Sequence, residues 1–571
     1  MFRKNLAIIK AIIVESLFYW KKRISLVAAD IVTKSSQVDL EALLSRTEKA
    51  LLLICIIIYL VPIWAFAYFP SQDGPSHLAN ATILSEYNNL NGQFWQQYYN
   101  INNFSVPTWL NHLMIVALIK ILPTLFAEKI LLTGYIVGMV LAFYYCVRCF
   151  NLRSGFCVFL VFPFLYNLLF QMGFYSFSYS IITFFLTIGY FFRNRFSFNT
   201  TKAIGLFLLG TITFSFHPTS FIMAMIFVVI VSVFNAAEGL RGVTRLTGKV
   251  VLDFLARFIP LACLLPVALW SIYFAQSHDV VYLTSTQTLL YDNANRLLHL
   301  YGLISFSRIE YLPIILFGLL IFFLLWRSGK RLISKDNQNR VLLVVALAYG
   351  AIYMLTPHHN WLNTRVLLLA LFFILLLLSA NSDLWNFRRG LGLSVFLISL
   401  LLITIHCLKY AELNDYLSEY LSASSHMESN TTLLPLSFAD NGRTPEGQRL
   451  SLHVLPFLHA SGYILCTRHI NTLDNYEAGT GYFPLIFREQ YNPYNFINIE
   501  VQPRFSTTLY GITDYILTWQ LDDKVKQNKE VKTMLQRVEE SYDQIFVSSP
   551  RGLTQLWRRK GFMTSSTIDN Q

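Results

Sequence analysis

Asp73 and His77 stand four residues apart in "FAYFPSQDGPSHLANATILSEY", where a long apolar run ends. Residues at i and i+4 share a helix face, so a carboxylate and an imidazole are presented together. Such a pair can accept a proton or supply two ligands to a metal. Both residues also have structural uses: Asp73 suits a helix N-cap whose first turn holds Pro75, and His77 an interfacial hydrogen bond. Further along, "FSFHPTSF" carries His217, and "TPHHNWLNTR" carries His358, His359, Asn363 and Arg365. These are the candidate substrate-binding residues, with His77. His217, His358 or His359 can complete a metal site, or serve as a cap and as ordinary loop residues. The Arg365 guanidinium can grip a phosphate bidentately or act as a snorkelling anchor. No tight ligand motif is present. The sequence requires no cofactor and leaves a divalent metal open.

The elements that carry these residues belong to a membrane. The chain has 571 residues, 54% hydrophobic and 15% aromatic, with only 14% charged, and a mean hydropathy of +0.46. A soluble protein of this size needs more charge on its surface. The net charge of +12 fits basic residues flanking membrane spans better than nucleic-acid binding. No phosphate-binding glycine loop appears, which leaves an ATP-driven pump without support. The seven cysteines form no framework: "CVRC" lacks a second pair or a redox context.

Residues 1–48 read as a cytoplasmic amphipathic segment. Leu6, Ile9, Ile13, Leu17 and Trp20 fall on one side of a wheel, and Lys4, Glu15 and Lys22 on the other. About eleven spans follow, at 49–69, 128–149, 155–170, 176–192, 203–216, 219–235, 252–273, 311–326, 341–356, 365–380 and 391–409. The apolar stretch 108–126 carries Asn111, His112, Lys120 and Pro123. Counted as a span, it would put Arg148, Arg193, Arg241, Arg327, Arg388 and their basic neighbours outside. The positive-inside rule makes it a juxtamembrane helix instead. Asp73 and His77 then open a long external loop, 70–127, and loops of that length are usually functional. The loop at 274–310 adds His278, Asp279, Asp292, Arg296, His299, Arg308 and Glu310 on the same face, where ionisable groups often mark a site.

From Tyr410 the composition turns soluble. "TTLLPLSF", "GYILCTRHI", "DYILTWQL" and "YDQIFVSSP" read as strands, and "DDKVKQNKEVKTMLQRVEESY" as a helix. The expected architecture is mainly α: a polytopic helical bundle at 49–409 with juxtamembrane helices in its first external loop. A small external α/β domain at 410–571 closes the chain.

This pattern resembles the glycosyltransferase C superfamily, integral-membrane enzymes that use polyprenyl-phosphate-linked sugars. The likeness rests on the acid opening the first external loop in "SQDGPSHLANA", on the juxtamembrane helices near 76–90 and 107–122, and on "AEKILLTGYIVGMVLAFYYCVRCF" as a second span. It rests also on the arginine opening the late span "NTRVLLLALFFILLLL" and on the terminal soluble domain. It covers about residues 49–409 and, loosely, the tail. Some members carry an acidic pair in the first loop or an acid in the second; here a single Asp stands beside His77, and "FQMGFYSF" has no acid. The resemblance implies a transferase in the plasma membrane, such as a bacterial inner membrane. Its N-terminus would be cytoplasmic and its C-terminal domain external or periplasmic. Its partners would be membrane lipid, a polyprenyl-phosphate-sugar donor and an unidentified glycan, lipid or protein acceptor, with no nucleic acid. Asp73 would be the catalytic base and Arg365 a donor-phosphate ligand. A transporter of lipid or polysaccharide, or a non-catalytic assembly protein, is the alternative.

Overall fold

The computed structural model describes residues 44–89, 92–102, 109–240, 248–276, 286–332, 337–358, 361–380, 384, 387–493 and 513–562. The amphipathic segment expected at 1–48 lies almost wholly outside them, as do His278, Asp279 and His359. The chain is mainly helical. Among the described residues, eight helices are long and apolar enough to cross a membrane: Arg46–Trp64, Thr124–Phe150, Tyr175–Asn194, Pro218–Gly239, Arg308–Gly329, Gln338–Leu355, Leu362–Ser379 and Arg388–His426. Many carry large apolar side chains on their outer surfaces, such as Leu53, Trp326 and Leu408, as lipid contact demands.

The other three expected spans are shorter apolar helices. The segment at 155–170 begins as a 3-10 helix kinked at Ser154 and breaks again at Tyr166, before Asn167 caps a four-residue turn. Nearly every side chain in it is buried, so its apolarity reflects packing inside the bundle. The stretch 108–126 contains a helix of only 11 residues, Trp109–Ile119. Its rise of about 16 Å is roughly half the hydrocarbon thickness. First and last spans are joined by Arg388 and Glu48, whose Nε–Oε1 distance is 2.7 Å.

The helix beginning at Arg388 runs unbroken to Leu421, past residue 409. Its 34 residues rise about 51 Å, well beyond the bilayer core. The protruding part anchors the C-terminal region: Glu419 accepts from Arg551 Nε at 2.6 Å and from Ser548 Oγ at 2.8 Å.

The strands are β1 (Tyr99–Ile101), β2 (Thr432–Ser437), β3 (Asn471–Thr472), β4 (Leu485–Phe487), β5 (Tyr515–Trp519), β6 (Tyr542–Val547) and β7 (Thr554–Arg559). Five form a sheet in the order β3-β2-β5-β7-β6, parallel from β3 to β5 and antiparallel beyond. The helix Lys529–Ser541 buries Val531, Met534 and Val538 against Leu434, Leu436 and Ile516. "GYILCTRHI", expected as a strand, is the helix Ser461–Arg468. It packs on the helix Gly74–Glu86 so closely that a Cβ on Gly462 would stand 2.4 Å from the Pro75 carbonyl oxygen. Tertiary packing overrides β propensity there. β1, from the loop after the first span, pairs with β4, so that loop and the C-terminal region share one hydrogen-bonded structure.

Candidate functional site

Asp73 is the N-cap residue of the helix Gly74–Glu86, yet its side chain makes no cap hydrogen bond. Its backbone does the structural work. The Asp73 amide donates to the Met172 carbonyl at 3.0 Å, and the Asp73 carbonyl accepts from the His77 amide at 3.1 Å. The short loop at Met172–Phe174 fixes this position. Gly173 has φ +85°, and a Cβ there would lie 2.5 Å from the Gly74 nitrogen. Only glycine satisfies both demands. Gly74 is confined in turn, with Ser71 Oγ and the Tyr175 hydroxyl each 2.3 Å from where its Cβ would sit.

The Asp73 carboxylate is therefore free for other partners. It is buried and accepts from Gln72 Nε2 at 3.0 Å and from the Tyr476 hydroxyl. His459 Nε2 stands 4.0 Å from Oδ1. Burial pushes the Asp73 carboxyl up; the charges of His459 and then His77 pull it back only in part, leaving it above the usual carboxylate range. His459 lies between two acids, with Nδ1 4.0 Å from Asp474 Oδ2 and its ring stacked on Tyr476 at 4.6 Å. Burial pulls its imidazole down, but Asp474 and Asp73 outweigh that and hold it above the ordinary histidine value.

Arg365, near the start of the span Leu362–Ser379, is within electrostatic reach of Asp73 and Tyr476. Its guanidinium carbon lies 5.0 Å from the Phe174 ring centre and 5.8 Å from that of Phe177. An acid from the loop after the first span and a cation from a late span, far apart in sequence, thus come within electrostatic reach of each other. His217 joins them: its ring packs on Phe177 at 5.3 Å and senses the Arg365 charge. It also caps the following helix, its Nδ1 accepting from the Thr219 amide at 3.2 Å.

His77 turns towards Glu477, with Nδ1 2.6 Å from Oε1. His112 Nε2 lies 2.8 Å from the other oxygen of the same carboxylate. Burial pushes Glu477 up, but the two histidines outweigh it and hold the carboxyl down to about 2. These three side chains can hold a metal: one ligand atom from each lies within 4.8 Å of the others. Asp73, His217 and His358, the residues considered beside His77 for a metal, are not in this group.

His358 and Asn363 belong to a different network. His358 Nδ1 is 3.0 Å from Asn363 Oδ1, and Asn363 Nδ2 donates to Asn293 Oδ1 at 2.7 Å. Asn293 Nδ2 in turn faces the carbonyls of Tyr353, Met354 and Thr356, closing the end of the helix Asn337–Leu355. Glu310 serves its own loop, accepting from the amides of Ser305, Phe306 and Ser307.

No protein-family model matches the chain, and no curated protein sequence matches it.

Reading the sequence left out His459, Asp474, Tyr476 and Glu477, all from the C-terminal region. The signal available was two histidines inside an apolar stretch, "LHVLPFLHA", followed by the acidic and aromatic "LDNYEAG". Glu128 was also passed over. It is buried at the start of the second span and accepts from the Tyr175 hydroxyl at 2.9 Å, with the Tyr463 hydroxyl 3.2 Å from its other oxygen.

Proposed function

We propose that the chain is an integral-membrane glycosyltransferase that moves a sugar from a polyprenyl-phosphate-linked donor to an acceptor at the outer face of the plasma membrane. The observation that carries the reading is the meeting of Asp73, released from capping, with Arg365 and His459. Nucleotide sugars are made in the cytosol, so a transfer at the outer face draws on a lipid-linked donor. An acceptor hydroxyl oxygen attacks the anomeric carbon and its proton passes to Asp73. The bond from that carbon to the phosphate oxygen breaks, and its electron pair leaves with the lipid phosphate. The guanidinium of Arg365 binds that phosphate through paired hydrogen bonds. His459, whose imidazole Asp474 and Asp73 hold above the ordinary histidine value, favours the ionised, proton-accepting form of Asp73 whenever it carries its own proton.

The test is transfer of label from a panel of radiolabelled polyprenyl-phosphate sugars in membranes containing the protein. Label should pass to a lipid, glycan or protein fraction, against a control lacking the chain. Absence of transfer with every donor, together with no binding of polyprenyl phosphate to the purified protein, would remove the proposal.

A further inference from the structure

His77, His112 and Glu477 come from three separate elements: the helix Gly74–Glu86, the helix Trp109–Ile119 and the helix Tyr476–Thr480 in the C-terminal region. Each side chain is at most 5% exposed. The carboxylate is spread between two imidazoles, with Oε1 towards His77 at 2.6 Å and Oε2 towards His112 at 2.8 Å.

The orientation at His77 is informative. His77 Nδ1 and Glu477 Oε1 are buried and close, yet neither makes a properly directed hydrogen bond. A pair built only for each other would place an N–H on the oxygen lone pair, since a misdirected contact forfeits much of its energy. One ligand atom from each of the three side chains lies within 4.8 Å of the other two, a spacing that a single shared cation can draw together. His77 also hydrogen-bonds to the Gly173 backbone, the outer contact that typically fixes a ligand imidazole. The Phe483 ring closes over both imidazoles, at 6.1 Å from His77 and 5.8 Å from His112.

We propose that His77, His112 and Glu477 bind a divalent cation of the zinc class, which clasps the loop after the first span to the C-terminal region. Two imidazoles and one carboxylate form a donor set suited to zinc, with the fourth position left to solvent. Ligands about 2.0–2.1 Å from a tetrahedral ion stand roughly 3.3 Å apart. With one carboxylate oxygen as the ligand, donor atoms that lie within 4.8 Å of one another need to change their separations by no more than about 1.5 Å to reach that spacing, which rotation of the side chains supplies. The ion would also balance the charge of the buried carboxylate. The site stands independently of the sugar-transfer reading, because its ligands exclude Asp73 and Arg365.

The experiment uses the full-length protein in detergent, with any affinity tag removed. After incubation with zinc and desalting, metal is measured by mass spectrometry and thermal unfolding is followed with and without 1,10-phenanthroline. Wild type should retain about one equivalent, as a preformed site does, and lose thermal stability with the chelator. Glu477→Gln should retain little zinc, and its melting temperature should be indifferent to the chelator. Because that variant risks misfolding, cobalt added to apo wild type supplies a second readout: tetrahedral coordination gives intense visible bands. Wild type that keeps no zinc and gives no visible cobalt spectrum overturns the proposal. So does Glu477→Gln that folds and keeps as much metal as wild type.

Discussion

His459 Nε2 faces the Asp73 carboxylate at 4.0 Å while its other ring nitrogen faces Asp474 at the same distance. One imidazole from the C-terminal region thus sits between an acid of its own region and the acid that opens the loop after the first span. Asp73 also feels His77, and Arg365 from the span side.

The pH dependence of activity follows from that placement. Burial raises the carboxyl of Asp73, and the charge of His459 opposes the rise. Removing a positive neighbour disfavours the ionised acid, so His459→Gln should move the acid limb of the kcat/KM profile to higher pH. Activity should fall more at pH 6 than at pH 8. A limb that stays in place in the variant would show that His459 does not tune Asp73.

Arg365→Lys keeps a positive charge and loses the planar fork. With the phosphate held bidentately, the loss of one charged hydrogen bond should raise the donor KM by about 10–100-fold, with little change in melting temperature. An unchanged donor KM would take Arg365 out of phosphate binding.

Orientation has its own test. The positive-inside rule applied to the loops predicts that the C-terminal region lies outside. Gln448 is exposed, so Gln448→Cys, in a background lacking reactive native cysteines, should react with a membrane-impermeant maleimide in intact cells. Reaction only after permeabilisation would invert the topology.

The membrane character of the chain was legible because lipid-facing helices must be apolar along their whole length. The number of crossings was less so. Buried residues such as Phe156, Val158 and Leu165 are as apolar as lipid-facing ones, and the 3-10 geometry and the break at Tyr166 carry no hydropathy signal. The pairing of Asp73 with His77 in one turn was legible from spacing alone. Their different partners were not, because those partners are Glu477 and His459, brought in by a C-terminal region that folds back onto the first loop through β1 and β4. The helix Ser461–Arg468 was misread as a strand for the same reason: Tyr463 and Ile464 favour strands locally, and only contact with the helix Gly74–Glu86 decides the matter.

Asp73→Asn tests the central claim most directly. The substitution keeps the size of the side chain and removes the charge that accepts a proton. No cap hydrogen bond is lost, because Asp73 makes none, so the melting temperature should stay close to that of wild type. Transfer from the polyprenyl-phosphate donor should fall by roughly 10²–10⁴-fold, the contribution of a general base. A folded Asp73→Asn protein that transfers sugar at nearly the wild-type rate would contradict the account.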